Sequence, residues 1–544
     1  MMAKYALGFD YGTESVRVLV VDTRTGRIAG QAAQDYAHGV IDQALPNSTV
    51  KLPTDYAFQH PVDWLNDLAV ACKAALAAAQ VTPEQIVGIG VDFTSCTMLA
   101  TYRNGTPLCL RDDLRNVPLA WPKLWKHHGA KAAVDRINAV ARERKESFLP
   151  RYGGTIGIEW FFPKILETLW DAPEVYADTE VWLEAGDWLV WQLTSGPFPQ
   201  CKAEELARST CQAGYKGMWN KHTGFPSREY LGAVEPKLAN VVAEKMPGKM
   251  LPPGARAGVL TPAAAALLGL RAGTPVAAAI IDAHAGVPGS GVAEAGTLVL
   301  VMGTSSCHMM NSNVEVLAPG IAGVVEEGIL PGFYGYETGQ SSVGDAFAWL
   351  VKTFNLSHAE MNAKAALLGP GSGGVLALDW LNGCRTPLMD GRLSGGFVGL
   401  TLGTRPEQMY RALMEATAMG VRWIVETLQT GGVPVERFVA SGGLPVKSPL
   451  LMQIYADVLG QPITLAESEQ SVALGAAILG CIAAGKEATG YGSVAEAVQA
   501  MARQRTDVRY VPRAENAAAY EKLYQLYRQM GSGVAGVMRE LRDV

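Results

Sequence analysis

The chain contains 544 residues, of which 49% are hydrophobic and 18% charged, and it carries a formal net charge of −6. This length and this hydrophobic content favour a globular protein with at least two domains. The mildly acidic balance includes no basic run, which argues against nucleic-acid binding, so we expect the partner to be a small molecule.

The eight cysteines are scattered and form no C-x-x-C pair. This spacing fits reduced core thiols better than a disulfide framework or a zinc site, and it indicates the cytoplasm. The N-terminal residues enter an apolar strand without the pattern of an export signal, and the longest apolar stretch, residues 472–484, is too short to cross a bilayer. We therefore expect neither export nor membrane insertion.

A strand–turn–strand pattern at residues 7–22 is the first feature that points to chemistry. In its turn, Gly12 lets the backbone approach an anion, while Thr13 and Ser15 offer hydroxyl and amide donors. Asp10 could hold a hydrated divalent cation against phosphate oxygens. An ordinary β-hairpin has the same local pattern, so this segment alone leaves both interpretations open.

The pattern returns in the second half of the chain, where Gly303, Thr304 and Ser305 follow an apolar strand. Further along, Gly442 and Gly443 lie between a strand and a helix, an arrangement that allows the close approach of a flat base or a phosphate. Two such hairpins in separate halves suggest a duplicated nucleotide-binding domain.

The other elements are predicted from periodicity and capping signals. Two buried strands, 87–91 and 275–281, end at Asp92 and Asp282, and the end of a buried strand is a good place for a reactive carboxylate. Residues 111–253 are rich in Trp, Pro and Gly without clear periodicity, as expected of insertions that build a substrate pocket. Helices are predicted at 61–80, 262–269, 406–429, 449–460 and 517–528, with Ser448 as the N-cap of the fourth, and residues 332–344 form a glycine-rich stretch.

These motifs resemble those of the FGGY family of carbohydrate kinases. Residues 8–15 are similar to the family's first phosphate motif, residues 303–305 to its second, and residues 441–443 with the following helix to its adenosine motif. Segments similar to the two family signatures are 163–166 and 396–400, the latter followed by 408–409 and 414–415. The resemblance thus covers essentially the whole chain.

Within that family, residues 90–99 are similar to the segment that L-ribulokinases carry, and they differ from the corresponding xylulokinase and glycerol kinase segments. Ala100 departs from the pattern, since proline is expected there. The resemblance implies ATP-dependent phosphorylation of L-ribulose at its terminal C5 hydroxyl to give L-ribulose 5-phosphate, in L-arabinose degradation.

The resemblance also implies an α/β fold of two actin-like (ribonuclease H-like) domains, with ATP and sugar in the cleft between them. Residues 1–290 would bind the sugar and carry the catalytic base, and residues 291–544 would bind ATP. This division agrees with the duplicated hairpin.

The proposed catalytic base is Asp282, because residues 281–286 resemble the catalytic Asp-x-x-x-Gly segment of the family. It would take the proton from the terminal hydroxyl of the sugar. A structural or helix-capping role is the alternative for an aspartate at such a position. His284 is expected to be structural, since no metal-ligand spacing or Ser-His-Asp pattern accompanies it.

The remaining site residues follow from the resemblance. Asp10 would bind ATP-associated Mg²⁺ through water. The nucleotide-binding residues would be Gly12, Thr13, Ser15, Gly303, Thr304, Ser305, Gly442 and Gly443, and the sugar-binding residues would be Asp92, Cys96, Lys216, Asp282 and Glu337. A lysine beside a tryptophan and a lone glutamate are more often solvated surface groups, and Cys96 is also compatible with simple packing.

Two alternatives stay open at this point. One is a kinase with the same machinery that acts on D-ribulose, xylulose or glycerol. The other is an actin-like or Hsp70-like ATP switch, which shares the duplicated hairpin but has no sugar pocket. A homodimer is left open as the assembly, and the sequence does not indicate which domain the C-terminal helix packs on.

Overall fold

Two mixed β-sheets of seven strands each organise the protein, in a computed structural model that describes residues 3–542. The strands are β1 Tyr5–Tyr11, β2 Ser15–Asp22, β3 Ile28–Asp35, β4 Ile86–Phe93, β5 Met98–Thr101, β6 Val181–Glu184, β7 Ala207–Ser209, β8 Lys249–Leu251, β9 Arg256–Val259, β10 Pro275–Ala277, β11 Ile280–Ile281, β12 Thr297–Met302, β13 Ser306–Ser312, β14 Gly323–Glu326, β15 Tyr334–Gln340, β16 Leu376–Leu378, β17 Gly396–Val398, β18 Arg437–Ser441, β19 Ile463–Ala466 and β20 Gln504–Tyr510.

Helices surround both sheets and fill the region between them. They are α1 Pro61–Ala79, α2 Lys131–Arg144, α3 Phe161–Asp171, α4 Pro173–Asp178, α5 Ala185–Ser195, α6 Thr210–Lys216, α7 Arg228–Val234, α8 Val241–Lys245, α9 Pro262–Leu268, α10 Asp282–Gly289, α11 Gly344–Thr353, α12 His358–Ala365, α13 Pro406–Thr430, α14 Gly443–Lys447, α15 Pro449–Leu459, α16 Ser471–Ala484, α17 Lys486–Thr489, α18 Val494–Met501 and α19 Ala514–Leu541.

The first sheet has the strand order β3-β2-β1-β4-β10-β9, and β11 also pairs with β4. The strands β1 and β2 form an antiparallel hairpin, whereas β1 and β4 run parallel. Both β1 and β4 are buried along almost their whole length, as expected of strands covered on both faces. Because β1, β4 and β11 are parallel, their carboxyl ends meet at one edge of the sheet.

The second sheet repeats this arrangement in the order β14-β15-β13-β12-β18-β19-β20. Its hairpin consists of β12 and β13, and β12 runs parallel to β18 just as β1 runs parallel to β4. The duplication predicted from the two hairpin motifs is therefore confirmed in the strand topology.

Most of the helices predicted from the sequence are confirmed with small changes at their ends. The segments 61–80, 406–429 and 449–460 are α1, α13 and α15, and the predicted segment 517–528 lies inside the longer α19. The cap predicted at Ser448 is present, since its hydroxyl accepts the backbone N–H of Leu451. In the middle region, the short helices α2, α3 and α7 pack around a separate apolar core.

Two segments differ from the expectation. The predicted strand 275–281 is divided into β10 and β11, because the backbone N–H of Ala278 donates to the carbonyl of Ala255 (2.8 Å). The glycine-rich stretch 332–344 consists mainly of β15, which pairs with β13 and β14. A glycine is needed within this strand, since a Cβ on Gly335 would lie 2.4 Å from the hydroxyl of Tyr215.

The apolar helix α16 packs on the first sheet although it lies late in the chain. The strands carry glycine at the points of contact: a Cβ on Gly8 would lie 1.9 Å from the carbonyl oxygen of Ala473, and a Cβ on Gly90 would lie 1.8 Å from that of Ala476. No other residue allows so close an approach of strand and helix backbones.

The same helix also fixes the position of α10, which begins at Asp282. A Cβ on Gly289 would lie 1.7 Å from the carbonyl oxygen of Ser471, and a Cβ on Gly475 would lie 1.8 Å from that of Ala285. The two helices are thus in backbone contact, and Asp282 stands at the first turn of a helix with little freedom to move.

Replacement of Gly90 by alanine is expected to lower the free energy of unfolding by about 3 kcal/mol, because the added methyl group meets the backbone of α16 and forces strand and helix apart. Denaturant titration of the purified variant measures this loss. Gly533→Ala, in the exposed part of α19, is the matched control, since within residues 3–542 no atom lies within 4 Å of its Cβ position. Equal stability of the two variants would contradict this account of the contact.

The C-terminal helix α19 packs on the second half of the chain. Its Tyr520 hydroxyl accepts a hydrogen bond from Arg411 (2.8 Å), and its Tyr527 hydroxyl donates to Asp379 (2.7 Å). These buried contacts settle the question that the sequence left open.

Within residues 3–542, no single helix is both long and apolar enough to cross a membrane. The segments Ser471–Ala484 and Lys486–Met501 pass such a test only as a pair, and they are bent by 112° relative to each other. The first of them is α16, nearly all of whose residues are buried inside the protein.

Candidate active site

Three carboxylates lie side by side at the carboxyl edge of the first sheet. Asp10 of β1 is the register partner of Asp92 of β4, and Asp92 in turn pairs with Ile280 of β11, two residues before Asp282. The parallel register brings these groups together from positions separated by up to 272 residues in the chain (282 minus 10). Such a cluster can bind a divalent cation or accept a proton.

Asp10 and Asp92 are buried and Asp282 is partly buried, and this changes the protonation of the cluster. Burial raises the pKa of Asp282 to about 7, despite the backbone N–H of Ala283 that donates to it (2.7 Å). Burial also raises the pKa of Asp10 and, further still, that of Asp92, whose carboxylate faces the charges of Asp10 and Asp282. Among the residues that the structure describes, none donates a hydrogen bond to the carboxylate of Asp92.

Arg17 is the one cation paired with this cluster in the described part of the chain, and the sequence analysis did not single it out. Its guanidinium lies 3.0 Å from the carboxylate of Asp10. The hairpin register makes Asp10 and Arg17 direct partners on β1 and β2. The sequence could have indicated this pair, because Arg17 is a charged residue only two positions after Ser15.

Each glycine hairpin closes its turn with a backbone hydrogen bond from the glycine, to the carbonyl three residues later in the first and two residues later in the second. The N–H of Gly12 donates to the carbonyl of Ser15 (3.0 Å), and the N–H of Gly303 donates to that of Ser305 (2.9 Å). The Thr13 hydroxyl is held by the indole N–H of Trp125 (3.0 Å).

The second hairpin is joined to the double-glycine turn that follows β18. Gly442 has a φ of 96°, and a Cβ there would lie 2.4 Å from the carbonyl oxygen of Met302, the residue before Gly303. No atom of the described residues lies within 4 Å of the Cβ position of Gly443, so space remains beside its backbone. The structure therefore places Gly442 and Gly443 next to Gly303, Thr304 and Ser305.

The predicted sugar residues Lys216 and Glu337 lie in contact, although 121 positions separate them. Lys216 ends α6 and Glu337 is in the middle of β15, and the lysine Nζ lies 2.9 Å and 3.2 Å from the two carboxylate oxygens. Both side chains are buried, at 8% and 2% exposure. The alternative considered from the sequence, that both are solvated surface groups, does not describe this pair.

A second cation, Arg385, also donates to the Glu337 carboxylate. Burial by itself would raise the pKa of Glu337, but the positive charges of Lys216 and Arg385 outweigh that effect and hold the pKa at about 2. Glu337 is therefore ionised throughout the physiological range. Sequence reasoning missed Arg385, because a single arginine in a loop carries no local signal.

His284 lies between Asp282 and this ion pair. Its Nε2 is 3.5 Å from a Glu337 oxygen, and its ring stands 4.2 Å from that of Tyr215. Burial lowers the pKa of His284 to about 3, so the imidazole is neutral. Neither ring nitrogen has a hydrogen-bond partner among the described residues.

Cys96 lies in the loop between β4 and β5 and is fully buried. Its carbonyl accepts a hydrogen bond from the Lys164 Nζ (2.6 Å), and burial raises the pKa of its thiol. Glu184 is close by, and burial raises the pKa of that carboxyl group to about 8.

Several side chains in this region have buried polar atoms without partners among residues 3–542. Glu184, Gln212 and His284 lie near Lys216, and Asp92 and Ser95 carry such atoms at the end of β4 and just after it. Buried polar groups are normally hydrogen-bonded, so a concentration of unpartnered ones marks a place where a polar ligand supplies the missing bonds. A molecule rich in hydroxyl groups has the required chemistry, since each hydroxyl both donates and accepts.

Comparison with known families accounts for both halves of the chain. Residues 5–289 match the N-terminal domain, and residues 298–484 the C-terminal domain, of the FGGY family of carbohydrate kinases. The chain belongs to this family. An FGGY kinase uses ATP to phosphorylate a sugar, and this excludes the actin-like or Hsp70-like switch considered from the sequence.

Curated relatives of this FGGY kinase match it from end to end. The ribulokinase of Geobacillus thermodenitrificans is 46% identical over 100% of this chain and 97% of its own length. The ribulokinase of Mycolicibacterium smegmatis is 44% identical over 97% of this chain and 93% of its own length.

Solved structures share the fold. The xylulose kinase of Rhodospirillum rubrum has a TM-score of 0.79 at 22% identity, covering 98% of this chain and 100% of its own. The gluconate kinase of Lactobacillus acidophilus has a TM-score of 0.80 at 19% identity, covering 99% and 100%. The predicted two-domain actin-like fold of the FGGY kinase is thereby confirmed.

Proposed function

We propose that this FGGY kinase transfers a phosphoryl group from ATP to the C5 hydroxyl of L-ribulose, giving L-ribulose 5-phosphate for L-arabinose degradation. The ribulokinases that match the whole chain support the choice of sugar. The observation that carries the proposal is the buried Lys216–Glu337 pair beside Asp282. This pair gives the hydroxyl groups of a sugar a charged hydrogen-bond donor and a charged hydrogen-bond acceptor next to the proposed base.

Asp282 is proposed as the general base. In the transfer, the bond between the γ-phosphorus and the bridging oxygen breaks, and a bond from the sugar O5 to that phosphorus forms. The hydroxyl proton passes to the Asp282 carboxylate, and ADP leaves. Because the transition state is loose and spreads charge over the phosphoryl oxygens, the protein mainly positions the groups and supplies positive charge.

Sugar-dependent turnover is expected to fall as the pH drops below about 7. Burial raises the pKa of Asp282 to about 7, and a protonated carboxyl group cannot accept the hydroxyl proton. The logarithm of kcat/KM should therefore rise with pH up to this region and level off above it. A profile that is flat down to pH 5, on protein shown by circular dichroism to be folded, would contradict the assignment of the base.

The two hairpins and the double glycine are proposed to hold the nucleotide through Gly12, Thr13, Ser15, Gly303, Thr304, Ser305, Gly442 and Gly443. The chain fits this role: among the described residues, no atom lies within 4 Å of the Cβ position of Gly443, and only the carbonyl oxygen of Ser305, at 3.9 Å, lies that near the Cβ position of Gly303. Phosphate or base can therefore approach the backbone at both glycines. Backbone and hydroxyl donors in such turns bind phosphate oxygens.

Mg²⁺ is proposed to bind with ATP, held through water by Asp10. Carboxylate oxygens are the ligands that this ion prefers, and both Asp10 and the adjacent unpartnered Asp92 supply them. When bound, the ion would neutralise charge on the phosphate oxygens. Arg17 would keep Asp10 oriented from the other side.

The sugar is proposed to lie between Asp282 and the Lys216–Glu337 pair. Lys216 would donate to sugar hydroxyls and Glu337 would accept from them. Asp92 and Cys96 are proposed to border the same space, on the strand end and loop that the sequence associates with the sugar.

In this proposal residues 1–290 bring the base and most of the sugar contacts, and residues 291–544 bring most of the nucleotide contacts. We place the enzyme in the cytoplasm. All eight cysteines are free, which suits a reducing compartment.

ADP release from Mg-ATP, measured with L-ribulose, D-ribulose, D-xylulose, L-xylulose and glycerol, tests the function. L-ribulose is expected to give the highest kcat/KM, and release without sugar is expected to be small, because closure over both substrates excludes water from the phosphoryl group. A higher value with another sugar would replace L-ribulose as the substrate. No stimulation by any sugar would overturn the proposed reaction.

A further inference from the structure

Arg385 lies where the sugar site meets the second phosphate hairpin. It belongs to the segment between β16 and β17, and its guanidinium donates to the Glu337 carboxylate. The same guanidinium lies 3.9 Å from the Sγ of Cys307, which is two residues after Ser305. Its side chain keeps 28% exposure, so part of the guanidinium faces open space.

The positive charge around Glu337 exceeds the one negative charge of its carboxylate. Lys216 contacts both carboxylate oxygens of Glu337 and is itself almost buried, so one cation already neutralises the one anion. Arg385 adds a second positive charge. A guanidinium has five N–H donors in a planar fork, and its contacts with Glu337 and Cys307 leave donors free.

Phosphoryl transfer requires positive charge at this junction. The transferred group passes from the nucleotide, held near Gly303, to the sugar, held near Glu337, and its three equatorial oxygens carry the spread negative charge. The edge of the first sheet carries Asp10, Asp92 and Asp282 and is therefore acidic. Among the described residues, Arg385 contacts both the sugar-side carboxylate and β13, the strand that follows the turn of the second hairpin.

We propose that Arg385 is a catalytic residue that donates hydrogen bonds to the phosphoryl group in transit and stabilises its transition-state charge. This inference rests on the proposed phosphoryl transfer. Glu337 holds the guanidinium in place in the resting enzyme and so orients it before the substrates arrive. Arg385 neither gives up nor takes a proton in the step, since guanidinium stays charged at every physiological pH.

The alternative role is purely structural orientation of Glu337 for the sugar. The two roles differ in kinetics. A group that acts on the transition state alone lowers kcat and kcat/KM together, whereas a group that only orders the sugar site raises the KM for the sugar.

The test uses full-length Arg385→Gln and Arg385→Lys, assayed with the sugar that gives the wild-type enzyme its highest kcat/KM. We expect Arg385→Gln to lose about 10³-fold in kcat, in the range known for arginines that stabilise phosphoryl transfer, with a KM for sugar within about threefold of the wild type. Arg385→Lys keeps the positive charge but loses the planar fork of donors, so its kcat should lie between those of the wild type and Arg385→Gln.

A transition-state analogue gives the second readout. ADP with aluminium fluoride and the sugar should bind Arg385→Gln much more weakly than it binds the wild type, while ADP alone binds both equally. Arg392→Gln is the matched control, because Arg392 lies in the same segment with a side chain that is 59% exposed. It should behave as the wild type does.

The outcomes separate this inference from the proposed function. A raised sugar KM with unchanged kcat, or equal binding of the aluminium fluoride complex, would overturn the role of Arg385 and leave the kinase reaction standing. A wild type that no sugar stimulates would overturn both. If Arg385→Gln fails to fold, the kcat of Arg385→Lys tests the inference instead. A kcat of Arg385→Lys equal to that of the wild type would refute a requirement for the planar guanidinium.

Discussion

Asp282→Asn is expected to lose sugar-dependent turnover by about 10²- to 10⁴-fold, the contribution typical of a general base, while ATP binding stays close to that of the wild type. The variant keeps the shape of the side chain and an oxygen that can accept the N–H of Ala283, but it cannot accept the hydroxyl proton. Turnover is measured by ADP release with L-ribulose, and nucleotide binding by calorimetry.

Asp22→Asn is a suitable control for this change. Asp22 ends β2 on the same sheet, but β2 is antiparallel to β1, so this aspartate lies at the opposite edge from the site. Its carboxylate accepts backbone N–H bonds from Arg24 and Thr25, which asparagine can also accept. Turnover retained by Asp282→Asn, or lost equally by the control, would remove Asp282 from its proposed role.

The same substitution has an expected effect on stability. The folded protein raises the pKa of Asp282 to about 7 from an ordinary value of 3.8, so between these values the folded state binds more protons than the unfolded state. The charged carboxylate therefore lowers stability as the pH rises through about 7. Asp282→Asn should unfold at a higher temperature than the wild type at pH 8, with the difference shrinking toward pH 4.

Glu337→Gln is the second substitution with a large expected effect. It leaves Lys216 and Arg385 in a buried place without their counter-charge, and truncating one partner of such a group typically costs about 2–5 kcal/mol. If about 2–4 kcal/mol of this appears in sugar binding, the KM for L-ribulose rises about 30- to 1000-fold. Steady-state kinetics at saturating ATP measure the change.

Glu326→Gln provides the comparison, because Glu326 lies on the neighbouring strand β14 and pairs with Lys221 (3.0 Å) near the surface. An exposed pair of this kind contributes about 0–1 kcal/mol, so its loss should leave the sugar KM unchanged. A Glu337→Gln enzyme with a normal KM would mean that the carboxylate does not bind sugar.

Much of the fold could be predicted from local sequence patterns. The two hairpins were visible because Gly12 and Gly303 each follow an apolar strand within a few residues, and in both turns the glycine N–H donates to a carbonyl two or three residues later. The helices with capping signals, such as the one that begins after Ser448, were found for the same reason. The strand β15 was missed, because its glycines suggest a loop and only the packing of Tyr215 explains them.

The site was harder to predict, because its groups meet only through tertiary structure. Nothing near Lys216 in the sequence indicates Glu337, and the resemblance to a family, not spacing, suggested both. Arg385 gave no signal at all, since its importance depends on a carboxylate 48 positions away. Asp92 was noted as the end of a strand, but its position beside Asp10 follows from strand register.

The packing of α16 on the first sheet determines whether fragments of the chain can fold on their own. A fragment that stops near residue 290 would leave the contact surface of β1 and β4, with its close-fitting glycines, facing water. A fragment that starts there would carry α16 with one side uncovered. Neither half is then expected to fold alone, and the complete chain should unfold in one cooperative transition. When the two separate halves are mixed, the structure should form only where each half covers the surface that the other leaves exposed.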